Sequence, residues 1–341
     1  MHIDYILYLL NDVVQKGNKG HMNFSDIILD VKKTSMNNLI LKQNDMAEEK
    51  RLEEYKNTVS KYKKRGEIAD EYTESIIETY FEWTQCKDPS YNKNYIKLLE
   101  NLKCHIDEFE KVYNLLGDDI SKEIFTNILM WRLTRRSCGL IDSFLSSGVQ
   151  YFENIERLNR NEVLADCGGY TGDTIETLLK CVGGMKRVYM YEPNEENIEQ
   201  AKKNLKDCSN IVYRKAGVGS RNIRMSFSET TLSSTGTIVE ASGDMLPCID
   251  IVRVDDDIKE KITFIKMDIE GMEMEALIGA ERHIVEDRPV LAVCVYHKPE
   301  DLYEIPLYIN KMVNDYSYYI RHYTLFHGET VLYAVPNERE L

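Results

Sequence analysis

The chain has no excess of basic residues. Among its 341 residues, 43 Lys and Arg stand against 57 Asp and Glu, which gives a formal net charge of −14. A chain this acidic lacks the long-range positive field that gathers nucleic acid. We therefore expect no nucleic-acid partner and favour small ligands with little or no charge.

Long apolar runs and paired cysteines are also lacking. The stretch MHIDYILYLLNDVVQ contains Asp4 and is interrupted at Asn11 and Asp12, so it predicts neither a signal peptide nor membrane insertion. The eight cysteines include no C-x-x-C pair, and several lie in apolar strand or helix contexts. They are typical of reduced thiols, which predicts a cytoplasmic protein.

The first 160 residues show helical periodicity and few β-branched runs, without internal repeats. Apolar residues from Ile3 to Val14 form one stripe, and Leu52, Tyr55, Val59 and Tyr62 form another. The second stripe spans only about two heptads, which favours a helix packed on its neighbours over a dimerisation zipper. We predict a helical N-terminal extension over residues 1–65 and a helical lead-in over residues 66–160. If the chain forms a homo-oligomer, the N-terminal helices are the expected contact.

After residue 160, strands and helices alternate as in a mostly parallel sheet. We predict five strands before a C-terminal pair, at Glu162–Asp166, Val188–Tyr191, Asn210–Arg214, Thr263–Ile269 and Val290–Tyr296. The segments SYYIRHYT and TVLYAV then form a hairpin. A parallel sheet closed by an antiparallel hairpin is typical of S-adenosylmethionine-dependent methyltransferases. The predicted fold is a Rossmann-like α/β domain over residues 161–341.

An insertion rich in Ser, Thr and Gly separates the third and fourth predicted strands. It runs from Ser220 to Asp257 and includes SETTLSSTG. A loop of this length is often functional, so one interpretation is a cover for the site. The other is a disordered surface loop.

The stretch VLADCGGYTGDT (residues 163–174) reads as a buried strand, a tight glycine turn and the start of a helix. The dinucleotide pattern G-x-G-x-x-G starting at Gly168 fails, because Tyr170 and Asp173 stand where glycines are required. Asp166 and Asp173 also place negative charge where a pyrophosphate would bind. A ligand with a cationic portion and no phosphate fits better, and S-adenosylmethionine is such a ligand.

A second acid supports a nucleoside site. Glu192 ends the strand of RVYMYEPN, twenty positions after Gly172. In Rossmann-like folds an acid at about this distance accepts hydrogen bonds from ribose hydroxyls.

Charged residues accumulate at the ends of two later strands. In ITFIKMDIEG, Lys266, Asp268 and Glu270 alternate, so their side chains share one face if the strand extends that far. His297 follows the strand of LAVCVYH. Neighbouring strand ends would bring these groups into one crevice, as general acid/base chemistry requires.

Three motifs in this order resemble the FkbM family of S-adenosylmethionine-dependent methyltransferases. They are VLADCGGYTGDT, FIKMDIEGMEMEALIGA and VCVYHKPEDL, and the resemblance extends over roughly residues 105–336. It implies O-methylation of a hydroxyl on a sugar or other small molecule. The cofactor-binding residues that it predicts, with two neighbours in the same turn, are Asp166, Gly168, Tyr170, Gly172, Asp173, Thr174 and Glu192. Gly169 stands where the family often has alanine, and we expect this difference to be harmless.

The same resemblance places Asp268, Glu270 and His297 at the reaction site. We expect His297 or Asp268 to act as the base. Lys266 would position Asp268 or stabilise developing negative charge. Carboxylate oxygens with one imidazole also suit Mg²⁺ or Mn²⁺, so Asp268, Glu270 and His297 are candidate ligands of a divalent metal.

Two other classes of function stay open. A nicotinamide-dependent oxidoreductase would share the fold class, although the failed glycine pattern argues against it. A non-catalytic module would bind a partner through the N-terminal helices. Such a module would have no evident need for charged side chains around a crevice.

Overall fold

The structure, a computed structural model, describes residues 23–43, 48–64, 89–145, 147–153, 155–229, 236–239 and 248–341. The predicted apolar stripe from Ile3 to Val14 lies outside these residues. Within the described ranges, no helix is both long and apolar enough to cross a membrane.

The chain divides into two compact units, and the first contains residues 1–147 and 320–328. The second contains residues 148–319 and 329–341. The predicted boundaries at residues 65 and 160 stay a prediction.

The described residues between 23 and 145 in the first unit are helical, as predicted. Its helices are α1 (Phe24–Lys33), α2 (Met36–Gln43), α3 (Glu48–Lys64), α4 (Pro89–Cys104), α5 (Ile106–Leu115), α6 (Asp119–Thr134) and α7 (Cys138–Leu145). In α3, the predicted stripe buries Leu52, Tyr55 and Val59 against Ile141 and Leu325. This helix therefore packs on its neighbours within the unit.

The second unit is built on a seven-stranded sheet. Its strands are β1 (Val163–Cys167), β2 (Arg187–Tyr191), β3 (Ile211–Arg214), β8 (Phe264–Met267), β9 (Val290–Cys294), β10 (Tyr316–His322) and β11 (Thr330–Pro336). Their order is β10-β11-β9-β8-β1-β2-β3. β1, β2, β3, β8 and β9 pair in parallel, whereas β11 runs antiparallel to β9. The predicted mostly parallel sheet is confirmed, and the two strands of the predicted C-terminal hairpin, β10 and β11, are neighbours at one edge of it.

Helices connect the parallel strands. They are α8 (Asp173–Val182), α9 (Glu195–Asn204), α10 (Val254–Asp257), α11 (Glu273–Gly279), α12 (Glu281–Asp287) and α13 (Asp301–Met312). β1, β8 and β9 are buried along their whole length, as expected of central strands covered on both faces. In register, Cys167 of β1 lies beside Met267 of β8, which lies beside Val293 of β9. The carboxyl ends of the three strands therefore meet at one edge.

The insertion at residues 220–257 contains strands, so it is not the continuous loop that we predicted. β5 (Ile223–Glu229), β6 (Gly236–Val239) and β7 (Cys248–Val252) join β4 (Gly217–Val218) in a second sheet, in the order β4-β7-β5-β6. The backbone hydrogen bonds between these strands form despite the polar composition of the segment. Most of SETTLSSTG lies outside the described residues.

β8 and β9 each end two residues earlier than predicted, at Met267 and Cys294. After β8, the backbone N–H of Ile269 donates to the Glu273 carboxylate instead of a neighbouring strand. Glu270 and Gly271 then adopt positive φ values of 56° and 93°. Asp268 and Glu270 consequently lie in a turn, and the expectation of one shared strand face with Lys266 is wrong.

Candidate active site

The glycine turn joins the ends of three strands. The N–H groups of Gly168 and Gly169 both donate to the carbonyl of Tyr191, at 3.0 and 2.9 Å. Gly168 has a φ of 84°, and a Cβ at this position would lie 1.9 Å from the carbonyl oxygen of Asp268. Only glycine meets both conditions. The turn after β1 therefore lies directly against the turn after β8.

Gly169 requires glycine for a different reason. A Cβ there would lie 2.3 Å from Cγ of Met190, a side chain that is fully buried in β2. In this chain Met190 therefore fills the space that an alanine methyl would need.

Replacing Gly169 with alanine should therefore destabilise the second unit by about 1–3 kcal/mol, as overpacking of a filled core does. Urea unfolding followed by fluorescence measures the change. The control is a protein that already carries Met190→Ala, in which Gly169→Ala should change the stability little. An equal loss of stability in both backgrounds would contradict the contact with Met190.

Glu192 lies just after β2 and is 7% exposed. Its Oε1 accepts from the N–H of Asn194 and from Nδ2 of Asn197, whereas its Oε2 accepts from the N–H of Tyr170 at 3.0 Å. Burial raises the pKa of Glu192, and the three donors oppose this. Because each carboxylate oxygen has about two lone-pair positions, one position on Oε2 is left for a ligand hydroxyl.

The other predicted cofactor residues lie on the same turn. Gly172, with a φ of 83°, precedes α8, and Asp173 and Thr174 are the first residues of that helix. Tyr170 is 37% exposed and has a φ of 43°. The structure thus brings the predicted residues of the glycine turn together with Glu192.

Asp166 differs from this group, since it is completely buried in β1. Lys266 of β8 lies beside it, with Nζ 3.2 Å from Asp166 Oδ1, and donates to the carbonyl of Gly168 at 2.5 Å. Burial raises the pKa of Asp166, and the charge of Lys266 opposes this. Asp166 and Lys266 thus form a buried ion pair, and Lys266 links this pair to the glycine turn through the Gly168 carbonyl.

Asp268 lies at the centre of the second group of predicted residues. Tyr151 donates to its Oδ2 at 2.8 Å, Tyr296 donates to its Oδ1 at 3.4 Å, and Nε2 of His297 lies 3.5 Å from Oδ1. Burial disfavours the carboxylate, but Lys266 and His297 outweigh it, so the pKa of Asp268 is lowered. Asp268 is therefore an ionised acceptor and a weak base.

His297 is surrounded by carboxylates. Its Nδ1 lies 3.0 Å from Glu273 Oε1, and its Nε2 lies 3.5 Å from Asp268 and 3.6 Å from Glu270 Oε2. Burial alone would lower the pKa of His297, but the three acids raise it to about 9. At neutral pH the ring is an imidazolium.

The structure adds residues that the sequence reasoning missed. Glu273, the first residue of α11, is fully buried against His297. Tyr151 reaches Asp268 from a segment before β1, with a φ of 67°. Glu329 accepts from Tyr296 at 3.2 Å and from Gln150 at 2.7 Å. Glu273 lies within the motif FIKMDIEGMEMEALIGA, but no spacing in the sequence indicated that these residues meet at this edge.

Backbone strain is concentrated at this edge of the sheet. Four residues other than glycine adopt positive φ values here, namely Tyr151, Tyr170, Glu270 and Glu329. Such conformations are unfavourable and persist where the surrounding structure imposes them, often at functional sites. The strain supports a functional site but does not identify the reaction.

The candidate metal ligands change in the structure. Ligand atoms of Asp268, Glu273 and His297 lie within 4.8 Å of one another, and Glu270 is not part of that group. Yet His297 directs Nδ1 at one carboxylate and Nε2 at another. A metal ion bound here would have to displace a proton from one nitrogen of the His297 ring. We derive no step through a metal ion.

The sheet, the glycine turn after β1 and the acid after β2 define the class of Rossmann-like methyltransferase folds. Residues 166–318 match the family model of the methyltransferase FkbM domain. The resemblance seen in the three motifs is thus confirmed. No curated protein matches the chain.

One solved structure is also similar to this chain. An FkbM methyltransferase from Methylobacillus flagellatus KT is similar over 69% of this chain, with 28% identity and a TM-score of 0.58. The match covers 60% of that protein's length.

Two more distant structures are an rRNA methylase from Streptococcus thermophilus and fibrillarin from Aeropyrum pernix with bound S-adenosyl-L-methionine. The first has 14% identity over 52% of this chain and 89% of its own, with a TM-score of 0.35. The second has 12% identity over 57% and 73%, with a TM-score of 0.36. Neither likeness supports a conclusion about this chain.

Proposed function

We propose that the second unit binds S-adenosylmethionine and transfers its methyl group to a hydroxyl of a small molecule or sugar. The observation that carries this proposal is the contact between the two turns. Gly168 of the candidate cofactor turn lies against Asp268, which is the centre of the candidate acid/base group. A cofactor bound along the first turn would therefore lie next to groups able to take a proton from its acceptor.

The cofactor assignment rests on charge and on hydrogen-bonding capacity. Asp173 at the start of α8 is unfavourable for a pyrophosphate, but it suits the cationic methionine portion of S-adenosylmethionine. The lone-pair position left on Glu192 Oε2 suits a ribose hydroxyl.

The reaction is an in-line displacement at the methyl carbon. The acceptor oxygen forms a bond to this carbon as the carbon–sulfur bond breaks, which converts the sulfonium into a neutral thioether. The acceptor proton passes to Nε2 of neutral His297, and Asp268 stabilises the imidazolium that forms. Alignment of oxygen, carbon and sulfur by the two turns supplies several kcal/mol more. Lys266 acts mainly on the glycine turn, through Asp166 and the Gly168 carbonyl.

Incubation with S-adenosylmethionine carrying a tritiated methyl group, together with a panel of sugars and hydroxylated small molecules, tests the proposal. We expect label in a product whose methyl linkage is stable to alkali, as an ether is, and mass spectrometry then locates the oxygen. Label released as methanol by alkali would indicate carboxyl methylation and overturn the hydroxyl assignment.

The alternatives predict different results in the same preparation. An oxidoreductase would bind a nicotinamide cofactor and transfer no label. A non-catalytic module would bind S-adenosylmethionine yet label no acceptor.

A further inference from the structure

Tyr151 contacts two opposite charges of the candidate active site. Its hydroxyl donates to Asp268 Oδ2 at 2.8 Å, and its ring lies under the Lys266 ammonium, with Nζ 5.2 Å from the ring centroid. The residue is buried. Because a cation is attracted to the face of an aromatic ring, the ring contact is favourable as well as the hydrogen bond. One side chain therefore contacts the cation with its ring and the anion with its hydroxyl.

The surroundings of Tyr151 fix the position of this hydroxyl. The φ of 67° lies in the left-handed region, which a residue other than glycine adopts where the surrounding structure imposes it. The Tyr151 N–H donates at 2.8 Å to the hydroxyl of Tyr333, a fully buried residue of β11. Burial raises the pKa of the Tyr151 hydroxyl well above its ordinary value, so the group stays protonated and donates.

Asp268 has two cations near its carboxylate. Burial raises the pKa of this carboxyl, whereas the charge of Lys266 and then that of His297 lower it. Lys266 forms its ion pair with Asp166. His297 Nε2 lies 3.5 Å from Asp268 Oδ1, which is the oxygen that Tyr151 does not hold. The hydrogen bond to Oδ2 therefore decides which of the two cations Oδ1 faces.

Two other donors near Asp268 hold it less firmly. Tyr296 donates to Oδ1 at 3.4 Å, which is longer than an ordinary hydrogen bond between oxygens, and it also donates to Glu329 at 3.2 Å. The Cys294 thiol, a weak donor, lies 3.5 Å from the Tyr151 hydroxyl. Tyr151 therefore makes the strongest of these contacts.

We propose that Tyr151 is a positioning residue of the reaction: its hydroxyl turns the Asp268 carboxylate toward His297 and keeps it from turning toward Lys266. The role rests on the proposed function, in which Asp268 stabilises the imidazolium that forms when His297 takes the acceptor proton. A carboxylate that turned toward Lys266 would leave this imidazolium without its anion.

Crystal structures of the wild type and of Tyr151→Phe test the orientation of Asp268 without an acceptor. Phenylalanine keeps the ring beside Lys266 and removes only the hydroxyl. In the variant we expect the distance between Asp268 Oδ1 and His297 Nε2 to grow beyond about 4 Å, because the carboxylate turns toward the Lys266 ammonium. An Asp268 carboxylate with the same orientation in both structures would overturn the proposal.

The rate of methyl transfer to an acceptor found in the labelled panel tests the consequence. Tyr151→Phe should lower kcat by about 10- to 100-fold, while the KM of the acceptor and the affinity for S-adenosylhomocysteine stay within about twofold of the wild-type values. Tyr316→Phe is the matched control. It removes another buried hydroxyl, which donates at 3.0 Å to the Pro289 carbonyl just before β9, whereas the site lies after the end of that strand. Both variants should lower the Tm by a few degrees, but Tyr316→Phe should leave kcat unchanged.

The outcomes separate positioning from stability and from the proposed function. An unchanged kcat in Tyr151→Phe, or an equal fall in the two variants, would contradict a positioning role. If the wild type binds no S-adenosylhomocysteine and transfers no label, the proposed function fails. The two crystal structures then still decide whether Tyr151 sets the orientation of Asp268.

Discussion

His297→Gln is expected to lower kcat for methyl transfer by at least about 10²-fold, while affinity for S-adenosylmethionine stays near the wild-type value. Glutamine keeps similar size and some hydrogen bonding but cannot take the acceptor proton. The cofactor turn does not depend on the imidazole, so binding should survive. Initial rates with the labelled acceptor, together with cofactor titration, measure the two quantities.

The pH dependence of the methyl-transfer rate gives a second expected result for the same variant. Because the three neighbouring acids raise the pKa of His297 to about 9, only a small fraction of the ring is neutral at pH 7. The neutral form is the base, so the rate should rise about tenfold per pH unit until it levels off near pH 9. His297→Gln should abolish this rise.

His105→Gln is the control, because His105 lies in the helical unit with a side chain 43% exposed. It should leave rate and pH profile unchanged. If His297→Gln lowers kcat by a comparable factor but the rate still rises with pH, the base is Asp268 instead. Wild-type kcat in that variant would leave His297 with a purely structural role.

Lys266→Met should destabilise the second unit by about 3–5 kcal/mol, since it leaves the buried Asp166 carboxylate without its cation. The variant also loses the hydrogen bond to the Gly168 carbonyl, so cofactor affinity should fall as well. Thermal unfolding by calorimetry at pH 7 measures the first effect. At lower pH the deficit should shrink, because protonation of Asp166 removes the unpaired charge.

The double variant Lys266→Met with Asp166→Asn separates charge from packing. Asparagine has nearly the same shape as aspartate and carries no charge, so the double variant should regain most of the stability lost by the single variant. If the double variant is as unstable as Lys266→Met alone, the buried ion pair is not the reason for the loss.

Local sequence patterns predicted where the glycine turn and Glu192 lie. The apolar run of β1, the failed dinucleotide pattern and the spacing to Glu192 are properties of one continuous segment. They sufficed to predict the turn and the acid beside it. The parallel order of the strands then predicted that groups after β8 and β9, such as Asp268 and His297, would meet at one edge.

What the sequence could not predict depends on contacts between distant segments. Tyr151 and Glu329 reach Asp268 or its neighbours from outside the recognised motifs, and their positive φ values are imposed by tertiary packing. The need for glycine at residue 169 depends on Met190, a side chain in another strand, and so could not be predicted from the turn itself. The predicted strand ran to Ile269, but the structure ends it at Met267, and the Ile269 N–H donates to Glu273 instead.

Binding of S-adenosylhomocysteine, measured by isothermal titration calorimetry, tests the central claim most directly. We predict one site per chain, no binding of NAD⁺, and affinity at least about tenfold weaker in Glu192→Ala, which removes a charged acceptor of ribose hydrogen bonds. Glu195→Ala, an exposed acid at the start of α9, should bind as the wild type does. Absence of binding by the folded wild type, or unchanged affinity in Glu192→Ala, would contradict a cofactor site at the glycine turn.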